Sequence, residues 1–121
     1  MLVEMLSPDF EFEDTRGKIT QLVHQGFSQV NVITTKAGVF RGGHYHKENE
    51  EAFFIVSGKC VVIAEDKEGN KEKYEFKSGD MFLIEPFVMH SFDYPKDTLL
   101  VSMYSKGYEL GDGRVDSYTE W

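Results

Sequence analysis

Apolar and polar residues alternate along this chain in short runs, each closed by a turn sequence. No stretch repeats its apolar positions at helical spacing. Ser28 to Thr35 sets Val30 and Val32 among polar neighbours, the pattern of a half-buried strand, and Ala37-Gly38 turns the chain out of it. Glu51 to Val56 and Lys59 to Ala64 are aromatic and β-branched runs separated only by Ser57-Gly58, which predicts two strands around a tight turn. Glu72 to Lys77 alternates Tyr74 and Phe76 with charge, and Met81 to Ile84 is apolar throughout until Pro86 stops it. His90 to Tyr94 and Thr98 to Tyr104 complete the series, and Lys18 to His24 is expected to be the first strand of the body. Residues 1–17 read as short and mixed, with turns at Ser7-Pro8-Asp9 and Asp14-Thr15-Arg16-Gly17, and the Gly- and Asp-rich residues 107–121 read as a tail. About ten short strands with glycine turns between them predict an all-β sandwich or barrel.

Composition narrows the partners. A chain of 121 residues is long enough for one domain with a core, 1–121, and hardly for two. Thirteen basic residues against 21 acidic ones give a net charge of -8, which argues against nucleic acid or an anionic membrane as a partner. Nowhere do eighteen apolar residues run together, so no membrane-spanning helix is expected. The first residues carry charge too early for a signal peptide. The single Cys60 lies within the apolar run Cys60-Val61-Val62-Ile63 and reads as a buried structural thiol, not a nucleophile. Together these place the protein in the cytoplasm.

The candidate chemistry gathers in Gly38-Val39-Phe40-Arg41-Gly42-Gly43-His44-Tyr45-His46 and its continuation through Glu51 to Gly58. Side chains alternate faces on a strand, so His44 and His46 point one way and Tyr45 the other. Two imidazoles on one face supply half of a metal site, or a base with its helper. His90 stands in a later strand, and His44, His46, Glu51 and His90 together make a donor set suited to Zn, Mn, Fe, Ni or Cu. The alternative is that these histidines only hydrogen-bond one another and the carboxylate. His24 lies apart and reads as a surface residue. Arg41 either meets a ligand, caps a turn, or pairs with Glu48, Glu50 or Glu65. Phe53, Phe54, Phe82, Phe87, Phe92 and Met103 read as packing.

Gly38, His44, His46, Glu51 and Gly58 stand at the spacing of the first motif of the cupin superfamily, and Gly79 and His90 at that of the second, so residues 38–94 resemble a cupin. The second motif departs in its middle: Pro86 comes one position late, no glycine follows it, and Tyr94 replaces an asparagine. The resemblance implies a jelly-roll barrel. Arg41-Gly42-Gly43-His44, preceded by Asp14-Thr15-Arg16-Gly17, is similar to nucleotide-sugar cupins, the dTDP-4-dehydrorhamnose 3,5-epimerases and dTDP-4-keto-6-deoxyglucose 3,4-ketoisomerases. Residues 51–59 are similar to the zinc-holding cupin part of capsular-polysaccharide enzymes.

That likeness implies a nucleotide-sugar isomerase or epimerase. His44 or His46 would remove a proton beside a ketone, and Arg41 and Arg16 would hold phosphate or the enolate oxygen. Tyr45, Tyr94 or Tyr104 would protonate that oxygen. Metal binding competes for the same imidazole lone pairs, so a cofactor-free proton shuttle and a divalent-metal site are alternatives. The other readings are a metal-dependent cupin such as a small oxygenase, and a non-catalytic ligand- or metal-sensing module. The resemblance further implies a homodimer, for which Tyr118 and Trp121 are the expected contacts.

Overall fold

The computed structural model describes all residues, Met1–Trp121, as eleven strands with no helix. In chain order they are β1 (Val3–Leu6), β2 (Phe10–Asp14), β3 (Gly17–Gln21), β4 (Gln29–Thr35), β5 (Phe40–His44), β6 (Glu51–Ser57), β7 (Lys59–Glu65), β8 (Lys71–Lys77), β9 (Met81–Ile84), β10 (Met89–Asp93) and β11 (Thr98–Tyr104). No helix is long and apolar enough to cross a membrane.

A five-stranded antiparallel sheet in the order β1-β9-β6-β11-β4 faces a four-stranded one in the order β5-β10-β7-β8. Between them lies one core that includes Phe53, Ile55, Val62, Phe76, Phe82, Phe92 and Leu100. The alternation of Tyr74 and Phe76 with charge on β8 turns both rings inward, and they stack 5.8 Å apart. β9 is apolar at every position because it lies between β1 and β6 and is buried on both faces. Cys60 is fully buried in this core, and burial pushes its thiol up to about 12. This is the jelly-roll barrel implied above.

Four expectations change. The strand placed at Lys18 to His24 ends at Gln21, and it pairs with β2 in a hairpin that forms a sheet of its own. Residues 1–17 thus hold two strands where only turns were read, because Phe10 and Phe12 alternate with acids that look like a loop. On β4 the pleat is opposite to the simple reading: Ile33 and Thr35 face the interior, while Val30 and Val32 point to solvent. The tail folds back on the body, with bridges from Tyr45 to Tyr118 and from Glu109 to Val115. Tyr118 and Trp121 pack on Tyr45 of their own chain, with ring centroids 5.6 and 4.4 Å away.

Candidate active site and metal centre

The cluster is assembled across the two sheets. β5 and β10 run antiparallel, and His44 lies opposite His90 across them. A bulge between His90 and Ser91 re-aims the end of β10 toward the interior. Glu51 opens β6 on the facing sheet, between Ile84 and Tyr104. β5 itself stops at His44, so His46 lies past the strand's end. The Tyr45–Tyr118 bridge extends the backbone by one residue, and the rings of His44 and His46 lie 5.1 Å apart. As alternation required, Tyr45 points away; its hydroxyl donates to the carbonyl of Glu120. One ligand atom from each of His44, His46, Glu51 and His90 lies within 4.8 Å of the others.

The hydrogen bonds fix which nitrogens are free. His46 Nδ1–H donates to the Asp116 carbonyl (2.5 Å), leaving Nε2 3.0 Å from Glu51 Oε1. His90 Nδ1–H donates to the Val88 carbonyl (3.0 Å), and its Nε2, 3.5 Å from the same oxygen, has no partner. Ser102 Oγ–H, fully buried on β11, donates to the other carboxylate oxygen at 2.5 Å. Burial alone would raise the Glu51 pKa; the hydrogen bond with His46 and the nearness of the His46 and His90 rings outweigh it and hold the group at about 2. Burial alone would lower the His46 pKa, and the Glu51 carboxylate reverses that and raises it. Burial, then repulsion from His90 and His46, lowers the His44 pKa to about 4.

The Nε2 atoms of His46 and His90 therefore converge on one carboxylate oxygen, and only that of His46 lies at hydrogen-bond distance from it. That is the donor arrangement a divalent cation satisfies, and the unpartnered His90 Nε2 is its clearest mark. The residues fit a metal.

Above the cluster lies a cavity of about 380 Å³, walled by Ile33, Phe53, Phe92 and Leu100 among others. His44 and His90 line it; His46 does not, and of the three histidines only His44 is partly open. Tyr94 and Tyr104 also face this space, and burial raises both phenols, Tyr94 to about 12, so each remains an O–H donor. Arg41 stands where the cavity meets an outer groove that holds Thr34, Thr35, Lys36 and Thr98. Its Nε–H donates to Thr35 Oγ1 (2.8 Å) and its Nη2–H to the Thr34 carbonyl (3.2 Å), and none of the three glutamates considered above holds it. Arg16 is elsewhere: exposed at the tip of the β2–β3 hairpin, it is paired with Asp14. The four motif residues thus converge, Arg41 lines the adjoining cavity, and Arg16 lies outside both. His24 is exposed and pairs with Asp9.

Three supporting residues escaped the sequence reading. Ser102 looks like any polar strand residue. The Asp116 carboxylate accepts the backbone N–H groups of Lys47, Glu48 and Asn49 and the side-chain amide of Asn49, at 2.8–3.0 Å. Asn49 Oδ1 in turn accepts from the N–H groups of Lys106 and Gly107. The loop between His46 and Glu51 is thereby locked to the tail. Asp116 is fully buried, and nothing in its Gly- and Asp-rich segment signals that.

A jelly-roll barrel with three imidazoles and a carboxylate converging inside it defines the cupin class. The sequence model of the polysaccharide biosynthesis C-terminal domain family matches residues 12–108, and the chain belongs to that family. Among solved structures, a 3,4-ketoisomerase from Helicobacter canadensis superposes with a TM-score of 0.82 at 20% identity, covering 99% of this chain and 92% of its own. The dTDP-4-dehydrorhamnose 3,5-epimerase of Sulfolobus tokodaii gives 0.74 at 22% identity, covering 100% of this chain and 86% of its own. At such identities these matches establish the shared fold. A curated 3-hydroxyanthranilate 3,4-dioxygenase from Burkholderia cenocepacia is 29% identical over 90 residues, which are 74% of this chain. The chain spans about half the length (49%) of that relative.

Proposed function

We propose that the protein is a nucleotide-sugar isomerase or epimerase of polysaccharide or deoxysugar synthesis, moving a proton on a carbon beside a ketone. One observation carries the reading: a partly open, neutral His44 lies in an open-mouthed, mostly apolar cavity with two phenolic donors, and an arginine stands at its mouth. The family and the ketoisomerase and epimerase neighbours support it.

A ketone acidifies the adjacent C–H because the charge left by proton loss moves onto oxygen. His44 is the base, since it faces the cavity without a proton, whereas both nitrogens of His46 are engaged by Asp116 and Glu51. For isomerisation, His44 returns the proton to the former carbonyl carbon, while the hydroxyl proton of the adjacent carbon passes to the former ketone oxygen. For epimerisation, a donor on the opposite face, Tyr94 or Tyr104, gives its proton to the carbon and recovers one from solvent, as His44 releases its own to solvent. Tyr94 or Tyr104 donates its hydroxyl hydrogen bond to the enolate oxygen, and their raised pKa values keep that donor in place. Arg41 holds the phosphates at the mouth, with Lys36 beside it in the groove, which supplies local positive charge on an acidic protein. Arg16 reaches a bound substrate only from outside this cavity.

Zn, Mn, Fe or Ni would be held by His46, His90 and Glu51, with His44 as fourth ligand, and when bound it would polarise a carbonyl as a Lewis acid. A metal taking His44 as well would remove the base, so proton transfer by His44 requires that this nitrogen stay free. The second reading, a metal-dependent oxygenase, is favoured by the complete donor set and by the dioxygenase relative. The unreactive thiol of Cys60 suits a reducing cytoplasm.

The test combines metal analysis of the purified protein with incubation of a dTDP-linked 4-keto-6-deoxyhexose in deuterated water, followed by proton NMR. Isomerised product carrying solvent deuterium is expected, and the His44→Ala variant should lose it. Stoichiometric metal with no exchange by the unmodified protein would move the assignment to the second reading.

A further inference from the structure

Beyond Tyr108 the chain returns to the barrel at one place. The Asp116 N–H turns back on the Tyr108 carbonyl. Every other hydrogen bond or ion pair from residues 109–121 to the rest of the molecule ends on Tyr45 to Asn49, the segment that carries His46. Tyr118 exchanges both backbone hydrogen bonds with Tyr45, at 2.9 and 3.0 Å, and Lys47 Nζ lies 4.2 Å from the centre of the Tyr118 ring. Asp116 is the one buried residue after Gly107, and residues 111–115 before it are all exposed.

The other ligands of the cluster are held from within the barrel. His90 Nδ1–H donates to the Val88 carbonyl two residues before it, and Glu51 is fixed by Ser102 on the neighbouring β11. His46 lies past the end of β5 and takes its support from the tail instead. Its Nδ1–H donates to the carbonyl of Asp116, the residue whose carboxylate gathers the N–H groups of Lys47, Glu48 and Asn49. One tail residue thus aims the ring and anchors the loop that follows it. A histidine that ligates through Nε2 is oriented by whatever accepts its Nδ1–H, and such partners set metal affinity nearly as strongly as the ligands do.

We propose that Asp116 is the positioning residue for His46 as a metal ligand, and that docking of the tail is coupled to binding of a divalent cation. With the tail undocked, the His46 ring must be ordered as the cation binds. With it docked, that ordering is already complete. The cation therefore binds the docked chain more tightly, and by linkage it holds the tail down by the same factor. The coupling rests on the cluster as a metal centre and is independent of the reaction the cavity performs.

Zinc binding to the chelator-treated full chain tests it, with zinc alone as the probe and a chromophoric chelator as competitor. Asp116→Ala should weaken zinc binding by roughly 10–100-fold, and Asp116→Asn, which keeps one acceptor oxygen, should regain part of that. Tyr118→Pro removes an N–H that pairs with Tyr45 and touches no ligand, and it should weaken zinc in the same direction. Melting followed by circular dichroism shows which variants remain folded.

A reciprocal measurement uses only the unmodified chain. Saturating zinc should slow hydrogen exchange at the Asp116 and Tyr118 amides by the factor lost in Asp116→Ala, and leave the amides of β2 and β3 unchanged. An unmodified chain that takes up no zinc would overturn the proposal. So would a folded Asp116→Ala chain that binds zinc as tightly as the unmodified one, or tail amides whose exchange ignores zinc. Those last two results are what an Asp116 that merely holds the fold together would give.

Discussion

Gly58 closes the first cupin motif, Phe87 stands at the glycine position of the second, and both hold the left-handed backbone conformation, φ 99° and 65°. Only one of the two sites needs a glycine. A Cβ at Gly58 would sit 2.4 Å from the Asp97 carbonyl oxygen and 2.7 Å from Thr98 Cα, both backbone atoms that cannot yield. Phe87 keeps a ring that is 41% exposed, beside Lys67 and 6.0 Å from Tyr45, while its N–H donates to the His46 carbonyl at 2.8 Å. A motif glycine is thus kept for two separable reasons, backbone angle and lack of room. Where room exists, a bulky residue can bear the angle and still deliver His90 to the site.

The sharpest way to break this contrast is Gly58→Ala, which adds a backbone clash to an unfavourable φ. About 4 kcal/mol of stability should be lost in urea unfolding, or folding should fail. Asp116→Ala comes next. It leaves three backbone N–H groups and the Asn49 amide without their acceptor, and should cost about 3 kcal/mol, with part recovered by Asp116→Asn. If instead the loop before Glu51 tolerates that loss, the first motif is held by its own strand alone.

The cluster's protons give a smaller, signed effect in chelator-treated protein. Because the His44 pKa is lowered from 6.5 to about 4, the unfolded chain binds more protons in that window, and stability falls as pH drops through it. The Glu51 contribution is lost between 4.5 and about 2. The His46 pKa is raised, so its contribution is full below 6.5 and disappears as pH rises through the folded value. Melting temperature should therefore peak near pH 6.5, and His44→Gln should flatten the acid side. The smallest effect sharpens the opening contrast directly. Phe87→Asn, which tolerates the left-handed region, should gain about 0.5–1 kcal/mol.

The pieces legible in the sequence were those set by local spacing. The His44–His46 pair, Glu51 and the far-off His90 could be placed together because pleat alternation and motif length translate directly into facing. Strand β11 was read with the bounds it has, Thr98–Tyr104. What escaped depends on contacts distant along the chain. Ser102 matters only because β11 lies beside β6, and Asp116 only because the tail returns nearly 70 residues to cap the loop at Lys47. Alternation on β4 showed that one face was apolar but not which face was inside, since Val30, Val32 and Ile33 have similar appetites for burial. The hairpin was missed for a related reason: its apolar residues have no partner within the chain, and acids separate them.

The lone cysteine has a practical corollary. Cys60, sealed in the core with its thiol pushed up to about 12, offers neither access nor thiolate to an alkylating reagent. The native chain is therefore a silent background for maleimide chemistry. A spin label or a fluorophore pair introduced through a new surface cysteine, at the hairpin tip or along β4, would report distances without first having to engineer the natural thiol away.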